Sequence, residues 1–230
     1  GDPIPYVRAR KQIPGYDYPD FDDEAATLEY YKDVPTGGYD YVSPWYRWHI
    51  SLSRQEFENT VSKNLVSREG ADQILGTNFV TTLAGPEPTG SEFQIGKLEE
   101  VQVIERGEGG NIMTLEIRGT NGVWRVQKEY NIRFVIRPHK YHTGSSDNVV
   151  LYFHNGGTYN NYSILPSAFA AFEPEYGSDG LISEITIYGG GNGHGVGMSQ
   201  WGARGMALQG HTYDEILHNY YTDIELEKLW

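Results

Sequence analysis

An α+β fold, mainly antiparallel β with a mid-chain helix and two C-terminal helices, is what this sequence predicts. Three observations carry the prediction. Ser53-x-x-Glu56 is a capping box, and Phe57, Val61 and Leu65 follow it at i, i+4, i+8 on one helical face. Val101 and Val103, then Ile112, Leu115 and Ile117, then Val123 and Val126 read as strands separated by Gly107–Gly110 and Asn121–Gly122, the pattern of an antiparallel meander. A second capping box, Thr212-x-x-Glu215, precedes Ile216, Leu217 and Tyr220 at helical spacing.

The elements follow in order. Residues 1–50 are rich in Pro, Asp and Tyr with little periodicity, and are expected to wrap irregularly over a core built by residues 51–230. Seven acidic residues between Asp17 and Asp33, against one Lys, read as a solvated acidic connector; their spacing lacks the Gly and terminal Glu of a Ca²⁺ loop. Trp45, Tyr46 and Trp48 either anchor the wrap or form a sugar-stacking platform. The helix from Ser53 to about Leu65 comes next, then turn residues at Gly85–Gly90, then the meander. Lys128–Arg137, apolar on one side through Tyr130, Phe134 and Val135, is a short helix ended by Pro138. Strands are expected at Val149–Phe153, Ala168–Phe172 and Leu181–Tyr188, with polar loops at His142–Asn148 and Asn155–Asn161. A helix starting near Met198 and capped by Gly210 precedes the one from Thr212 to about Tyr221. No internal repeat or domain boundary stands out, so 1–230 reads as one unit.

Composition narrows the partners. The formal net charge of −13 argues against nucleic acid, whose phosphates such a field repels, and against a polybasic membrane contact. No run approaches the ~18 apolar residues of a membrane span. Cys is absent, which leaves no thiolate chemistry. The 18 Tyr, 8 Phe and 5 Trp speak against disorder, and Tyr suits both half-buried strands and polar, uncharged ligands such as glycans.

The segment that carries chemistry is Gly189–Gly210. Six Gly in the nine positions 189–197 are costly in chain entropy, so either the backbone needs positive φ repeatedly or something must approach closer than a Cβ allows. No register gives G-x-G-x-x-G and no Lys completes a P-loop. Ser199 misses the G-x-S-x-G elbow at its last position. His194 is the titratable group of the loop, either pinning it or touching substrate, and its spacing to His211 and His218 matches no metal site. A helix beginning near Met198 would leave N–H groups available to an oxygen or carboxylate. Gln200 and Arg204, one turn apart, are a polar pair facing a cleft or a solvated stripe.

Gly-x-Gly-His-Gly-Val-Gly-Met-Ser-Gln-Trp-Gly-Ala-x-x-Met-Ala, with Tyr213-Asp-Glu-Ile-Leu and Asn219-Tyr-Tyr after it, closely resembles the signature ending of the SpoIID/LytB family of sporulation lytic transglycosylases and amidase enhancers. Weaker agreement lies at Asn131-Ile-Arg133, Leu165-Pro-Ser167-Ala-Phe169 and Ser43-Pro-Trp45. The resemblance implies a protein of the cell wall, or of the space between forespore and mother cell, whose partners are peptidoglycan glycan strands and a cell-wall amidase. It implies substrate contacts at His194, Ser199 and Gln200, with Arg133 and Ser167 as further contacts or structural pins, and no metal or cofactor. The family's catalytic Glu sits in a Ser-Glu-Met-Pro-like context before an Ala-rich helix, and nothing here matches it; Glu87 and Glu173 have neither the neighbours nor the helix. Gly1-Asp-Pro-Ile-Pro-Tyr-Val resembles the point where the family's middle section reads Pro-Tyr-Leu. The chain is therefore expected to be the C-terminal part of such a domain. Its catalytic residue is not identifiable, and its role is to bind glycan, or alternatively to enhance an amidase, with little cleavage of its own.

Overall fold

A computed structural model describes residues 5–227. It is an α+β structure built on two antiparallel sheets and the long helix that joins them. Strand β1 (Trp48–Ser53) turns Trp48, Ile50 and Leu52 into the core while Ser51 and Ser53 face out, the alternation of a half-buried strand. It is the middle strand of a five-stranded sheet with β6 (Val150–Phe153), β7 (Thr158–Asn160), β8 (Ala170–Tyr176) and β9 (Ile182–Gly189), in the order β7-β6-β1-β9-β8. The second sheet, in the order β2-β5-β4-β3, contains the expected meander as β3 (Leu98–Arg106), β4 (Ile112–Gly119) and β5 (Gly122–Gln127), with the Thr120–Asn121 turn between β4 and β5, and adds a strand that was not expected, β2 (Val80–Ala84).

Helix α2 (Arg54–Leu75) starts at the Ser53–Glu56 capping box and touches strands of both sheets, so Phe57, Val61 and Leu65 join one core with Trp48, Leu115, Trp124 and Ile187. It runs ten residues beyond the expected end at Leu65. The apolar face stops at Leu65, but the buried face continues with polar groups, Arg68 and Asp72. The Asp72 carboxylate accepts from the Phe79 and Val80 N–H groups at 2.8 and 3.0 Å and from the Thr77 hydroxyl at 2.6 Å. Those hydrogen bonds to its ionised form outweigh burial and hold Asp72 below the usual Asp value. Gly76, at φ +67°, ends the helix in the left-handed region.

Two expectations for residues 1–50 need correction. The acidic stretch is not merely a connector: helix α1 (Glu24–Lys32) lies within it, capped by Asp23, whose carboxylate accepts from Ala25 and Ala26 N–H. Its face packs on β8 and β9, and Glu24 forms a two-point ion pair with Arg106 at 2.7 Å per contact. Nor is the end of the wrap irregular, because a 3₁₀ turn at Pro44–Tyr46 feeds the central strand β1. Trp48 and Tyr46 are each 2 % exposed, so they anchor this junction and cannot offer a sugar platform. The Asn155–Asn161 loop likewise contains a strand, β7. Gly1–Ile4, part of the opening resemblance, lie outside the described residues.

Helix α3 (Glu129–Val135) falls where Lys128–Arg137 was expected but buries Ile132 and Val135 while Tyr130 is exposed, and α4 (Lys140–Thr143) takes the first two residues of the expected His142–Asn148 loop. The C-terminal helices α5 (Gln200–Leu208) and α6 (Tyr213–Tyr220) pack on each other and on the N-terminal segment. Tyr220 donates to the Gln12 side chain at 2.8 Å, and Thr222 N–H donates to Tyr6 carbonyl at 2.9 Å. Ile13, Tyr31, Tyr46, Met206 and Tyr220 are buried here, outside the main core cluster. Arg47 is buried beside them, its guanidinium 4.6 and 4.5 Å from the Tyr30 and Tyr46 ring centroids and its Nε donating to Asp33 carbonyl.

Candidate functional site

The Gly-rich loop leaves the end of β9 and is held by its first half. Gly190 N–H donates to Phe169 carbonyl and Gly190 carbonyl accepts from Ser167 Oγ at 2.6 Å. Gly191 N–H donates to Trp45 carbonyl at 2.7 Å, while its own carbonyl accepts from Trp48 Nε1 at 2.9 Å. Gly193 N–H donates to Pro166 carbonyl at 2.9 Å. Both physical reasons for a Gly run are present. At Gly189 a Cβ would stand 2.4 Å from the Trp48 ring and 2.7 Å from Phe169 carbonyl oxygen, so close approach excludes any other residue. At Gly195 the backbone has φ +72° and a Cβ would meet the Phe169 ring at 2.2 Å, so conformation and space act together.

Beyond Gly193 the loop is open. His194 is exposed, and Val196 N–H donates to its Nδ1 at 2.9 Å. In the neutral ring that bond puts the proton on Nε2, so the loop presents a donor to solvent. Val196 and Met198, 52 % and 38 % exposed, stand on the same stretch.

Ser199 is the N-cap of α5, its oxygen accepting from Gly202 N–H at 3.0 Å. Gln200 and Arg204 are exposed, and Arg204 lies over the Trp201 ring at 5.1 Å. Arg133 and Ser167 are buried in the frame behind the loop. Arg133 Nε donates to Leu165 carbonyl at 2.9 Å and Nη1 pairs with Glu129 at 3.1 Å. Ser167, besides holding Gly190, accepts from Phe169 N–H. The Leu165–Ser167 strip thus joins Arg133, Ser167 and the loop's first half, while His194, Ser199 and Gln200 follow on its exposed side.

An aromatic surface adjoins the loop. Trp45, half-buried, packs edge-on to Phe153 with centroids 4.8 Å apart, and Tyr162 and Tyr159 stand 5.0 and 6.4 Å from it. Tyr159 is 49 % exposed. Tyr162 OH is within hydrogen-bonding distance of both the Asn192 carbonyl and amide groups, at 3.0 and 2.8 Å, which ties the aromatics to the Gly loop. Sequence reading singled out Trp45 but missed Tyr159 and Tyr162, which lie more than a hundred residues away and join it only through the sheet. The available signal was their place in the polar stretch 158–163, where a Tyr has no core to fill. Among the described residues no carboxylate is hydrogen-bonded to the loop or to these rings.

No protein-family model matches the chain. An uncharacterized protein of Brachyspira hyodysenteriae is 55 % identical to it over 42 residues, which is 18 % of this chain and 11 % of that protein.

Proposed function

We propose that this chain binds the glycan strands of peptidoglycan outside the cytoplasm, as the C-terminal portion of a SpoIID/LytB-type domain. The resemblance of the Gly191–Ala207 segment supplies the family, and the aromatic surface supplies the physical support. One observation carries the reading: Trp45, Tyr159 and Tyr162 form an aromatic cluster that hydrogen-bonds Asn192, two residues before the exposed His194. Pyranose rings offer C–H faces that stack on aromatic carbon and hydroxyls that pair with amide, phenol and imidazole groups. Among the described residues no carboxylate is hydrogen-bonded to the loop, which supports reading this face as a binding surface.

Cosedimentation with insoluble peptidoglycan tests the proposal. Wild-type protein is expected in the pellet, and Tyr159→Ala is expected to bind about three- to tenfold more weakly, the value of one aromatic contact. Wild-type protein that stays in the supernatant at all concentrations would overturn it.

A further inference from the structure

The chain is strongly acidic, yet one cleft is lined by Lys63 and His142 and by no carboxylate. It lies between α2 and α4, is closed by the Gly90–Gln94 segment, and has a volume of about 500 Å³. Asn59, Lys63, Ser91, Gln94, Tyr141 and His142 line it. Lys63 Nζ sits 3.4 Å from the Tyr141 ring centroid and donates to Tyr141 carbonyl at 3.1 Å, which leaves two ammonium hydrogens for another partner. His142 and His139 are 6.3 Å apart, on the same short run as Arg137 and Lys140. His142 Nδ1 is buried with no hydrogen-bond partner.

Among the described residues, Lys63, Arg137 and Lys140 have no carboxylate within 4.0 Å. The acids on neighbouring segments are hydrogen-bonded to other groups: Glu56 to Ser53 and Ser145, Glu92 to the cleft-lining Ser91, and Glu129 to Arg133. A cation in a concave site raises the local concentration of anions. In a chain with 31 acidic residues and 18 basic ones, a cleft whose lining holds Lys63 and no carboxylate favours an anion.

The segment that lines the cleft through Tyr141 and His142 is also tied to the segment that carries Tyr159 and Tyr162. Arg137 Nε donates to Ser163 carbonyl at 2.6 Å, and Lys140 N–H donates to Asn161 Oδ1 at 3.2 Å. Between those two residues stands Tyr162, which pairs with Asn192 of the Gly loop. We propose that this cleft holds the acid group, carboxylate or phosphate, of the polymer whose uncharged sugar face lies on Trp45, Tyr159 and Tyr162, with Lys63 as its main contact. The inference deepens the glycan reading and rests on it.

Calorimetric titration of the whole chain separates the two ideas, using chitotriose as a neutral sugar, a muramyl disaccharide as a carboxylate and glycerol phosphate as a phosphate. Lys63→Gln is expected to weaken binding of the acidic probe about fivefold or more and leave chitotriose unchanged, and Lys63→Arg is expected to restore it. Which acidic probe depends on Lys63 decides between the carboxylate and the phosphate. Lys63 is exposed, so its variants should fold, and Lys140→Gln provides a second reading with a smaller loss in the same direction. Acidic probes that fail to bind, or that bind wild type and both Gln variants equally, overturn the cleft while chitotriose binding would keep the aromatic surface. Acidic probes that bind through Lys63 without any chitotriose binding would do the reverse.

Discussion

Gly205→Ala is expected to destabilise the protein even though helix propensity alone predicts the opposite sign. In a helix interior Ala is favoured over Gly by about 1 kcal/mol. A Cβ at position 205 would stand 1.7 Å from the carbonyl oxygen of Tyr39, 2.7 Å from its carbonyl carbon and 3.2 Å from its Cα. All three are backbone atoms and cannot swing aside as the tip of a side chain does. An ordinary carbon–oxygen contact is about 3.3 Å, so α5 must back away by roughly 1.5 Å. That retreat opens the site where Met206 is 3 % exposed and where Gly202 lies against Tyr220 OH. Overpacking of this kind costs about 1–3 kcal/mol, and partial exposure of a Met adds about 1–2 kcal/mol. The two exceed the propensity gain and leave a net loss of about 1–4 kcal/mol. Urea unfolding followed by Trp fluorescence measures it, and hydrogen exchange over residues 199–221 should show the loosening confined to α5 and α6. Ala207→Gly on the exposed side of the same helix calibrates the propensity term, with an expected loss of about 1 kcal/mol. A midpoint for Gly205→Ala equal to or above wild type would refute the packing argument.

Three further outcomes are expected. Asp72→Ala should cost about 3 kcal/mol in urea unfolding, because the Phe79 and Val80 N–H groups lose their acceptor. Since Asp72 is held below its unfolded value, wild type should lose this stabilisation as pH falls through the folded value, and Asp72→Asn should flatten that acid limb. Ser167→Ala should raise hydrogen-exchange rates across residues 189–197 and cost about 1–3 kcal/mol, as Gly190 carbonyl is left without its donor; unchanged exchange there would mean the loop is held by other bonds. His142 should titrate by NMR near its depressed value of about 4, lowered first by burial and then by Arg137, Lys63 and His139. The unfolded chain therefore takes up a proton here before the folded one does, and this group's contribution to stability should fall between pH ~6.5 and ~4. A midpoint near 6.5 would show an open, unburied ring.

What could be read from the sequence was local. The Ser53 and Thr212 capping boxes, the meander and the short helix after Lys128 each announce themselves within a dozen residues, and each is present. Helix α1 escaped notice because its buried contacts, Thr27 and Tyr31, form no apolar stripe among the acids, although Asp23 before Glu24-Ala-Ala is a serviceable N-cap signal. Strand β1 escaped because Trp48-His-Ile-Ser-Leu-Ser alternates only once the aromatic start is counted as core. At the site, the Gly run was visible from composition, but its partners were not. Trp45, Phe169 and the Leu165–Ser167 strip reach it through sheet pairing, which a linear pattern does not encode.

The bond from Trp48 Nε1 to Gly191, across 143 residues, has a consequence for the order in which the chain assembles. The β3-β4-β5 meander closes within residues 98–127 through short connections that cost little loop entropy, and β2 joins it along β5. The other sheet has β1 at its centre and β9 as its main neighbour, paired from Trp48–Gly189 to Ser53–Glu184. During synthesis β1 emerges about 130 residues ahead of β9, and that side of it stays unpaired over the interval. Until then the apolar side of Trp48, Ile50 and Leu52 has only α2 and later β6 to lean on. A non-local pairing of this length belongs to the slow steps of folding. The Gly loop, which leaves β9 at Gly189, therefore takes its shape only after the rest of the sheet has formed.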